Sequence, residues 1–397
     1  MTLRVLHVIP SVSPKHGGPS VALPLFARAV AGQGATVTIA TTDDDGPARR
    51  LDVPLAELVP GPGEANYIYF RKATDSYKVS LGLGRWLRGH IRDYDVVHIH
   101  ALFSYSSYAA ARAARRAGVP YIVRPLGVLN RWGLENRRRL LKRWSLRLVE
   151  LPILRGAAAI HYTAEAEREE AAEAHPDIGT VRSAVIPIPV GLAPLFDATE
   201  AAKRFPITAD RRIILFLSRL HPKKGIELLL QAFVQLHAEF PRILLVVAGS
   251  GEPGYVQALR EKGRALGCER DIFWPGFVAG DDKAALLAAA TLFILPSFSE
   301  NFGIAAAEAL AAGVPSVLSD QIAIAREAER ENAAMIVSCD ENALVKAMRQ
   351  LLSDDALCQK LGENARRFVE RNFSMEVVGA ALIQLYESVS QKKDRHA

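Results

Sequence analysis

Residues 290–315 read ATLFILPSFSENFGIAAAEALAAGVP. A short apolar run ends at Pro296, the polar SFSEN follows, and an alanine-rich segment from about Gly303 to Ala312 stops at Gly-Val-Pro. Strand, loop and helix in that order are the repeating unit of a parallel sheet, and the Gly-Val-Pro stop fixes where the helix ends. Two carboxylates punctuate this otherwise uncharged stretch. Glu300 falls in the loop at the carboxyl end of the strand, and Glu308 falls in the helix, nearly two turns in. Between them the amides of Asn301, Phe302, Gly303 and Ile304 form a helix N-terminus able to hold a phosphate. Gly303 lets a ligand approach the backbone closely.

The same alternation extends in both directions. LRVLHVIP, ATVTIATT, DVVHIHA, PYIVRP, AAIHYT and SAVIPI read as strands in the first half, with helices over 20–32, 79–92, 104–117 and 164–174. PIPVGLAPLFD, residues 187–197, breaks the periodicity as a linker does. RIILFLS, RILLVVAG, DIFWPG, ATLFILPS, PSVLS and AAMIVS then restart it, and a last helix over 375–390 has no strand after it. The expectation is an α/β protein with two doubly wound Rossmann-like domains, 1–190 and 191–374, followed by a C-terminal helix, 375–397, that crosses back to the first domain. Ligands of open parallel sheets bind beyond the carboxyl ends of the strands, so the chemistry is expected in a cleft where the two sheets face one another.

The 397 residues, 49% hydrophobic and 23% charged, have the balance of a globular protein large enough for two cores. No apolar run reaches the length of a membrane span, and MTLRVLHVIP lacks the pattern of a signal peptide. A cytoplasmic location is therefore expected. Cys268, Cys339 and Cys358 are scattered singly, which indicates neither a disulfide framework nor a zinc site. The net charge of +6 divides into +8 over residues 1–190 and −2 over residues 191–397.

SRLHPKKG, residues 218–225, follows a strand and precedes a helix. Arg219 offers a planar fork of donors and Lys224 a point charge beside the helix amides, so both cations and the dipole are aimed at one anion. VVAGSGEPG lacks the spacing of a dinucleotide fingerprint or a P-loop, which counts against hydride transfer and ATP hydrolysis. In the first half, Gly17 and Gly18 follow the first strand and allow close approach to a phosphate or acceptor. His98 and His100 lie on one face of one strand. With no third ligand evident in the sequence, a metal site is not expected. Asp43 to Asp45, and Asp281 with Asp282, read as loop and helix-start acids.

Taken together, Glu300, Asn301, Phe302, Gly303, Glu308 and SRLHPKKG resemble the Glu-x7-Glu motif and the Arg and Lys-Gly signature of family 4 glycosyltransferases. The resemblance implies the GT-B fold, a donor held by the second domain and an acceptor by the first, and metal-independent transfer with retention of anomeric configuration. It implies that Arg219 and Lys224 hold the donor diphosphate, that Glu308 bonds the ribose hydroxyls, and that Glu300 contacts the donor sugar. It further implies that the backbone at Phe277 and Val278 meets the base, that Gly17 and Gly18 close over the diphosphate, and that His100 stands near the reacting carbon. His98, one step deeper, is expected to be a packed histidine. The co-substrate it implies is a nucleotide diphosphate sugar, most often UDP-linked in this family, with no further cofactor. A sugar-nucleotide epimerase or phosphorylase of the same fold, and a catalytically silent nucleotide-sugar-binding subunit, are the alternatives.

RPLGVLNRW, residues 124–132, resembles a segment of the exopolysaccharide and lipopolysaccharide branch, which implies a saccharide or lipid-linked acceptor in cell-surface polysaccharide synthesis. Residues 130–155 hold eight basic residues against two acids. Leu140, Leu141, Trp144, Leu148 and Leu151 recur at helical spacing, with Arg139, Lys142, Arg143 and Arg147 largely off that face. Such a helix over 137–151 fits an anionic membrane surface, at the inner face of the cell membrane, and equally fits leucines packed on the sheet. Nucleic acid is not an expected partner, because no nucleic-acid motif accompanies the charge.

Overall fold

The computed structural model describes residues 2–129, 144–191 and 199–390. Arg139, Leu140, Leu141, Lys142 and Arg143 of the basic segment lie outside the described residues. The chain divides into two compact units, residues 1–189 with 375–397 and residues 190–374.

In the first unit, eight strands form one sheet: β1 (Arg4–Val8), β2 (Thr36–Thr42), β3 (Leu58–Gly61), β4 (Ala65–Phe70), β5 (Val96–His100), β6 (Tyr121–Arg124), β7 (Ala159–Tyr162) and β8 (Ser183–Val185). Their order is β3-β4-β2-β1-β5-β6-β7-β8, parallel except for β3 against β4. The hairpin β3-β4 is absent from the sequence reading because Pro60 and Gly61 interrupt its pattern. Pro60 is tolerated there because β3 is the sheet's edge strand. The helices α1 (Gly18–Ala31), α2 (Leu81–His90), α3 (Tyr105–Ala117), α4 (Leu151–Arg155), α5 (Glu165–Ala174) and α6 (Pro176–Gly179) connect the strands. A π-helical turn, Leu146–Glu150, leads into α4.

That turn bears on the two readings of the segment. Leu146 and Glu150 are buried, whereas Trp144 and Leu148 are each 64% exposed. At these two positions the apolar stripe therefore faces outward, as the surface-binding reading has it, and not onto the sheet.

In the second unit, α7 (Thr199–Arg204) precedes six parallel strands: β9 (Arg212–Leu217), β10 (Ile243–Ala248), β11 (Ile272–Gly276), β12 (Ala290–Leu295), β13 (Ser316–Ser319) and β14 (Met335–Val337). Their order is β11-β10-β9-β12-β13-β14, the doubly wound arrangement, which reverses between β9 and β12. In the first unit the reversal falls between β1 and β5. The remaining helices are α8 (Ile226–His237), α9 (Pro253–Ala265), α10 (Gly280–Ala289), α11 (Ile304–Ala311), α12 (Ala325–Arg330), α13 (Glu341–Ser353), α14 (Asp355–Phe373) and α15 (Met375–Ser390).

β10 is buried at every position, as a strand covered on both faces requires. α15 returns to the first unit and packs on α1. Gly379 sits at that crossing, where a Cβ would stand 2.2 Å from the carbonyl oxygen of Ala29. No helix among the described residues is long and apolar enough to cross a membrane.

The close crossing sets an expectation for stability. Gly379→Val forces α15 away from α1 and lowers stability by about 1–3 kcal/mol in urea unfolding. Gly89→Ala, with open space around its Cβ position, is neutral or stabilising by up to about 1 kcal/mol.

Candidate active site

The loops after β9 and β12 meet at the reversal point of the second sheet. β9 runs into Ser218 and Arg219, a single 3-10 turn, Pro222–Lys224, and then Gly225, whose φ of 66° opens α8. A Cβ on Gly225 would stand 2.1 Å from the carbonyl oxygen of Pro296, at the end of β12. Glycine is thus required twice, for the left-handed backbone and for the contact. The loops are also tied by Phe298 N–H donating to the Lys223 carbonyl at 2.8 Å, and by an ion pair between Lys224 and Glu300.

Burial, with Arg219 and Lys223 nearby, pulls the Lys224 ammonium down to about 8, and its pairing with the Glu300 carboxylate acts in the opposite sense. Arg219 is exposed and has no ion-pair partner among the described residues. Glu300 is held by its backbone, its N–H donating to Gln321 O at 3.1 Å and its carbonyl accepting from Ala323 N at 3.1 Å.

α11 begins at Ile304 behind Gly303, whose φ is 89° and which supplies no side-chain cap. Its first-turn amides are therefore open, unlike those of α13 and α14, which Asp340 and Asp354 cap. The side chain of Phe302 is 2% exposed and packs on Phe373, with ring centroids 5.4 Å apart, so only its backbone is available to a ligand. Glu308 is bonded by Lys283 of α10, Nζ to Oε1 at 2.6 Å. Sequence reading missed Lys283. Its only signal was a lysine directly after two helix-start acids, Asp281 and Asp282, which pair with Arg204 instead. Phe277 is 73% exposed, whereas Val278 is buried.

In the first unit, Gly17 has a φ of 72° and opens α1 without a side-chain cap. The preceding His16 is fixed by Asp44, Nε2 to Oδ2 at 2.7 Å. Asp44 also accepts from Lys72 at 2.6 Å and pairs with Lys78 at 2.5 Å. Burial raises the Asp44 carboxyl, but the Lys72 and Lys78 bonds outweigh it and hold the group at about 2. The run Asp43 to Asp45, read from sequence as loop acids, therefore supplies a buried anionic hub beneath the glycine loop.

His100 is fully buried. Strand register places His7 of β1 opposite His98, and Arg124 of β6 opposite His100. His7 Nδ1 and His100 Nε2 are 2.7 Å apart, and Arg124 approaches His100 Nδ1 at 3.5 Å. His98 bonds Tyr386 of α15 through Nδ1 at 2.8 Å and His161 Nδ1 through Nε2 at 3.2 Å, while His161 Nε2 meets the Ile186 carbonyl at 2.7 Å.

A carbonyl only accepts, so His161 carries its proton on Nε2, His98 donates from Nε2, and Tyr386 O–H donates to His98 Nδ1. By the same logic Arg124 donates to His100 Nδ1, His100 donates from Nε2, and His7 carries its proton on Nε2, which has no partner among the described residues. Nitrogens of His7, His98 and His100 lie within 4.8 Å of one another. The third imidazole that the sequence did not reveal is therefore His7, which strand pairing brings in from a neighbouring strand.

Burial holds all four histidines well below their ordinary value, with Arg124 adding to the effect, His7 and His161 near 3. His98 is packed, as expected. His100 is neutral in the fold. Burial also pulls the Arg124 guanidinium down to about 10, and its Cζ lies 4.6 Å from the centre of the Phe26 ring.

Two doubly wound sheets with these switch-point loops define the GT-B class of proteins. Sucrose-phosphate synthase from Thermosynechococcus elongatus superposes with a TM-score of 0.76 at 20% identity, covering 98% of this chain and 100% of that one. Anabaena HepE in complex with UDP-glucose gives 0.76 at 18% identity, covering 97% and 100%. Residues 197–368 match the family described as glycosyl transferases group 1, and residues 17–189 match the glycosyl transferase 4-like domain. The chain belongs to these glycosyltransferase families, one in each half.

Among curated relatives, an uncharacterized glycosyltransferase of Methanocaldococcus jannaschii is 30% identical over 188 residues, 47% of each chain. A D-inositol 3-phosphate glycosyltransferase of Corynebacterium glutamicum is 30% identical over 198 residues, 48% of this chain and 46% of the relative. The chain spans about half the length of these curated relatives. The MMP alpha-(1->4)-mannosyltransferase of Mycolicibacterium hassiacum is 27% identical over 321 residues, 78% of this chain and 74% of the relative.

The buried histidines carry a consequence for acid stability. Each is neutral in the fold and protonated when unfolded below about 6.5, so the unfolded state binds more protons and stability falls with falling pH. The loss is about 1.4 kcal/mol per pH unit per histidine, and for His7 and His161 it continues to about pH 3. The urea midpoint should drop steeply between pH 7 and pH 5, with a shallower slope in His7→Gln/His161→Gln. A flat profile over that range would contradict the neutral cluster.

Proposed function

We propose that the chain transfers a sugar from a nucleotide diphosphate sugar, UDP-linked, to a saccharide or lipid-linked acceptor, with retention and without a metal ion. The observation that carries this reading is the junction of Arg219, Lys224 and the uncapped N-terminus of α11 at the β9/β12 reversal. It gathers two cations and a helix dipole where a diphosphate is to be held. HepE, with the same fold, binds UDP and UDP-glucose, which supports a uridine donor.

Glu300 binds a hydroxyl of the donor sugar and Glu308 the ribose, each keeping its lysine on one oxygen while the other accepts from the ligand. The exposed Phe277 and the backbone at Val278 meet the base. In the first unit, Gly17 and Gly18 offer open backbone to a phosphate, with His16 anchored on Asp44. His100 is fully buried, so its neutral imidazole accepts from a hydroxyl only where Arg124 moves off Nδ1 and opens the ring to the ligand.

In the transfer, the bond from the anomeric carbon to the diphosphate oxygen breaks and the acceptor oxygen bonds to the same face of that carbon. The acceptor proton passes to the leaving diphosphate. Arg219, Lys224 and the α11 amides stabilise the charge that develops on the leaving group, as preorganised dipoles and cations do. The first unit takes the acceptor. The exposed Trp144 and Leu148, within the basic segment 137–151, support contact with an anionic membrane surface, and a role in cell-surface polysaccharide synthesis at the inner membrane face accords with such a contact.

A thermal-shift panel of UDP-, GDP- and ADP-sugars tests the donor class, because a bound donor stabilises the fold by mass action. UDP-sugars should raise Tm, and no shift with any of them would contradict the reading. Glu300→Ala should lower kcat at least tenfold while UDP still binds, and unchanged turnover would remove Glu300 from the site. UDP affinity should weaken at alkaline pH as Lys224 loses its charge, a loss that burial eases and the Glu300 pair opposes, and Lys224→Arg should flatten that dependence.

A further inference from the structure

A groove between α2 and α3 of the first unit, of about 340 Å³, takes no part in the donor site. Its floor is made of small residues, Gly84 of α2 with Ala109 and Ala113 of α3. Gly84 is required there, because a Cβ would stand 2.3 Å from the Tyr105 hydroxyl, whose ring it seats. Arg85 and Arg88 line one side, and Arg112 and Arg116 line the other.

All four arginines are exposed, and none has an ion-pair partner among the described residues. Among the described residues no carboxylate lines the groove. Tyr108 accepts a bond from Arg112 Nη1 at 3.1 Å, and the guanidinium lies 6.0 Å from its ring centre, which holds the fork in place.

Arg88 and Arg116 fall in the last turns of their helices, where a cation is favoured by the dipole. Arg85 and Arg112 have no such reason. Arg85 with Arg88 and Arg112 with Arg116 are like charges at helical neighbour spacing, which is locally destabilising without a counter-charge. Arg112 and Arg116 also lie on the stretch of α3 that runs away from the carboxyl end of β5. About 16 Å of helix separates Tyr105 from Arg116, so this is not the switch-point site of the same sheet.

We infer that the α2/α3 groove is a second anion site, which takes a phosphate-bearing ligand through the paired forks of Arg85, Arg88, Arg112 and Arg116. Guanidinium forks match phosphate oxygens two at a time, and the volume suits a phosphate monoester or diphosphate. The phosphate comes either from a soluble compound or from a lipid headgroup.

The test uses the full chain carrying Arg219→Ala/Lys224→Ala, so that the candidate donor site does not contribute. Inorganic pyrophosphate is titrated by calorimetry. Vesicles of phosphatidylcholine, with or without phosphatidylglycerol, are tested by co-sedimentation. Saturable pyrophosphate binding assigns a soluble phosphate. Co-sedimentation with phosphatidylglycerol vesicles alone assigns a headgroup.

In either case binding should fall at least threefold on adding Arg85→Gln/Arg112→Gln, and likewise with Arg88→Gln/Arg116→Gln, while the melting temperature stays at the parent's. It should also weaken as salt rises from 50 to 200 mM. Binding of neither probe, or a change below threefold in both pairs of variants, would overturn the inference.

Discussion

Gly225 approaches the carbonyl oxygen of Pro296 so closely that a Cβ would stand 2.1 Å from it, and the organisation of the second unit's site follows from that contact. It brings the ends of β9 and β12 together at the point where strand order reverses. Lys224, immediately before the glycine, then meets Glu300, immediately beyond the Ser297–Ser299 turn. A second left-handed glycine, Gly303, starts α11 with its amides open. Two glycines therefore do what no side chain can. They leave two helix N-termini uncapped beside one buried lysine, and the positive potential that results suits a diphosphate.

The first unit depends on a different constraint. Five polar side chains on its central strands, His7, His98, His100, Arg124 and His161, are almost wholly buried. Two hydrogen-bonded lines fix the tautomers, one from Tyr386 through His98 and His161 to the Ile186 carbonyl, the other from Arg124 through His100 to His7. Neutral imidazoles with set tautomers give a rigid wall beneath the loops, at the cost of sensitivity to acid. Asp44 plays the matching role under the Gly17 loop, where one buried carboxylate holds His16, Lys72 and Lys78.

Much of this was legible in the sequence wherever one strand, loop or helix carried the information. The fold class, the position of Glu300 at a strand's carboxyl end and the uncapped start of α11 follow from local pattern. What could not be read was set by pairing between distant segments. His7 joins His98 only through strand register, Lys283 reaches Glu308 from a separate helix, and helical spacing alone does not decide between the sheet and solvent for Trp144 and Leu148, which face outward. Hairpin β3-β4 was lost because an edge strand accepts a proline that the interior of a sheet rejects.

The most direct measurement is a crystal structure of the chain with UDP. The diphosphate should lie within hydrogen-bond distance of Arg219, Lys224 and the first amides of α11, with the ribose hydroxyls on Glu308. A nucleotide bound elsewhere, with the Lys224 and Glu308 contacts unchanged, would contradict the account.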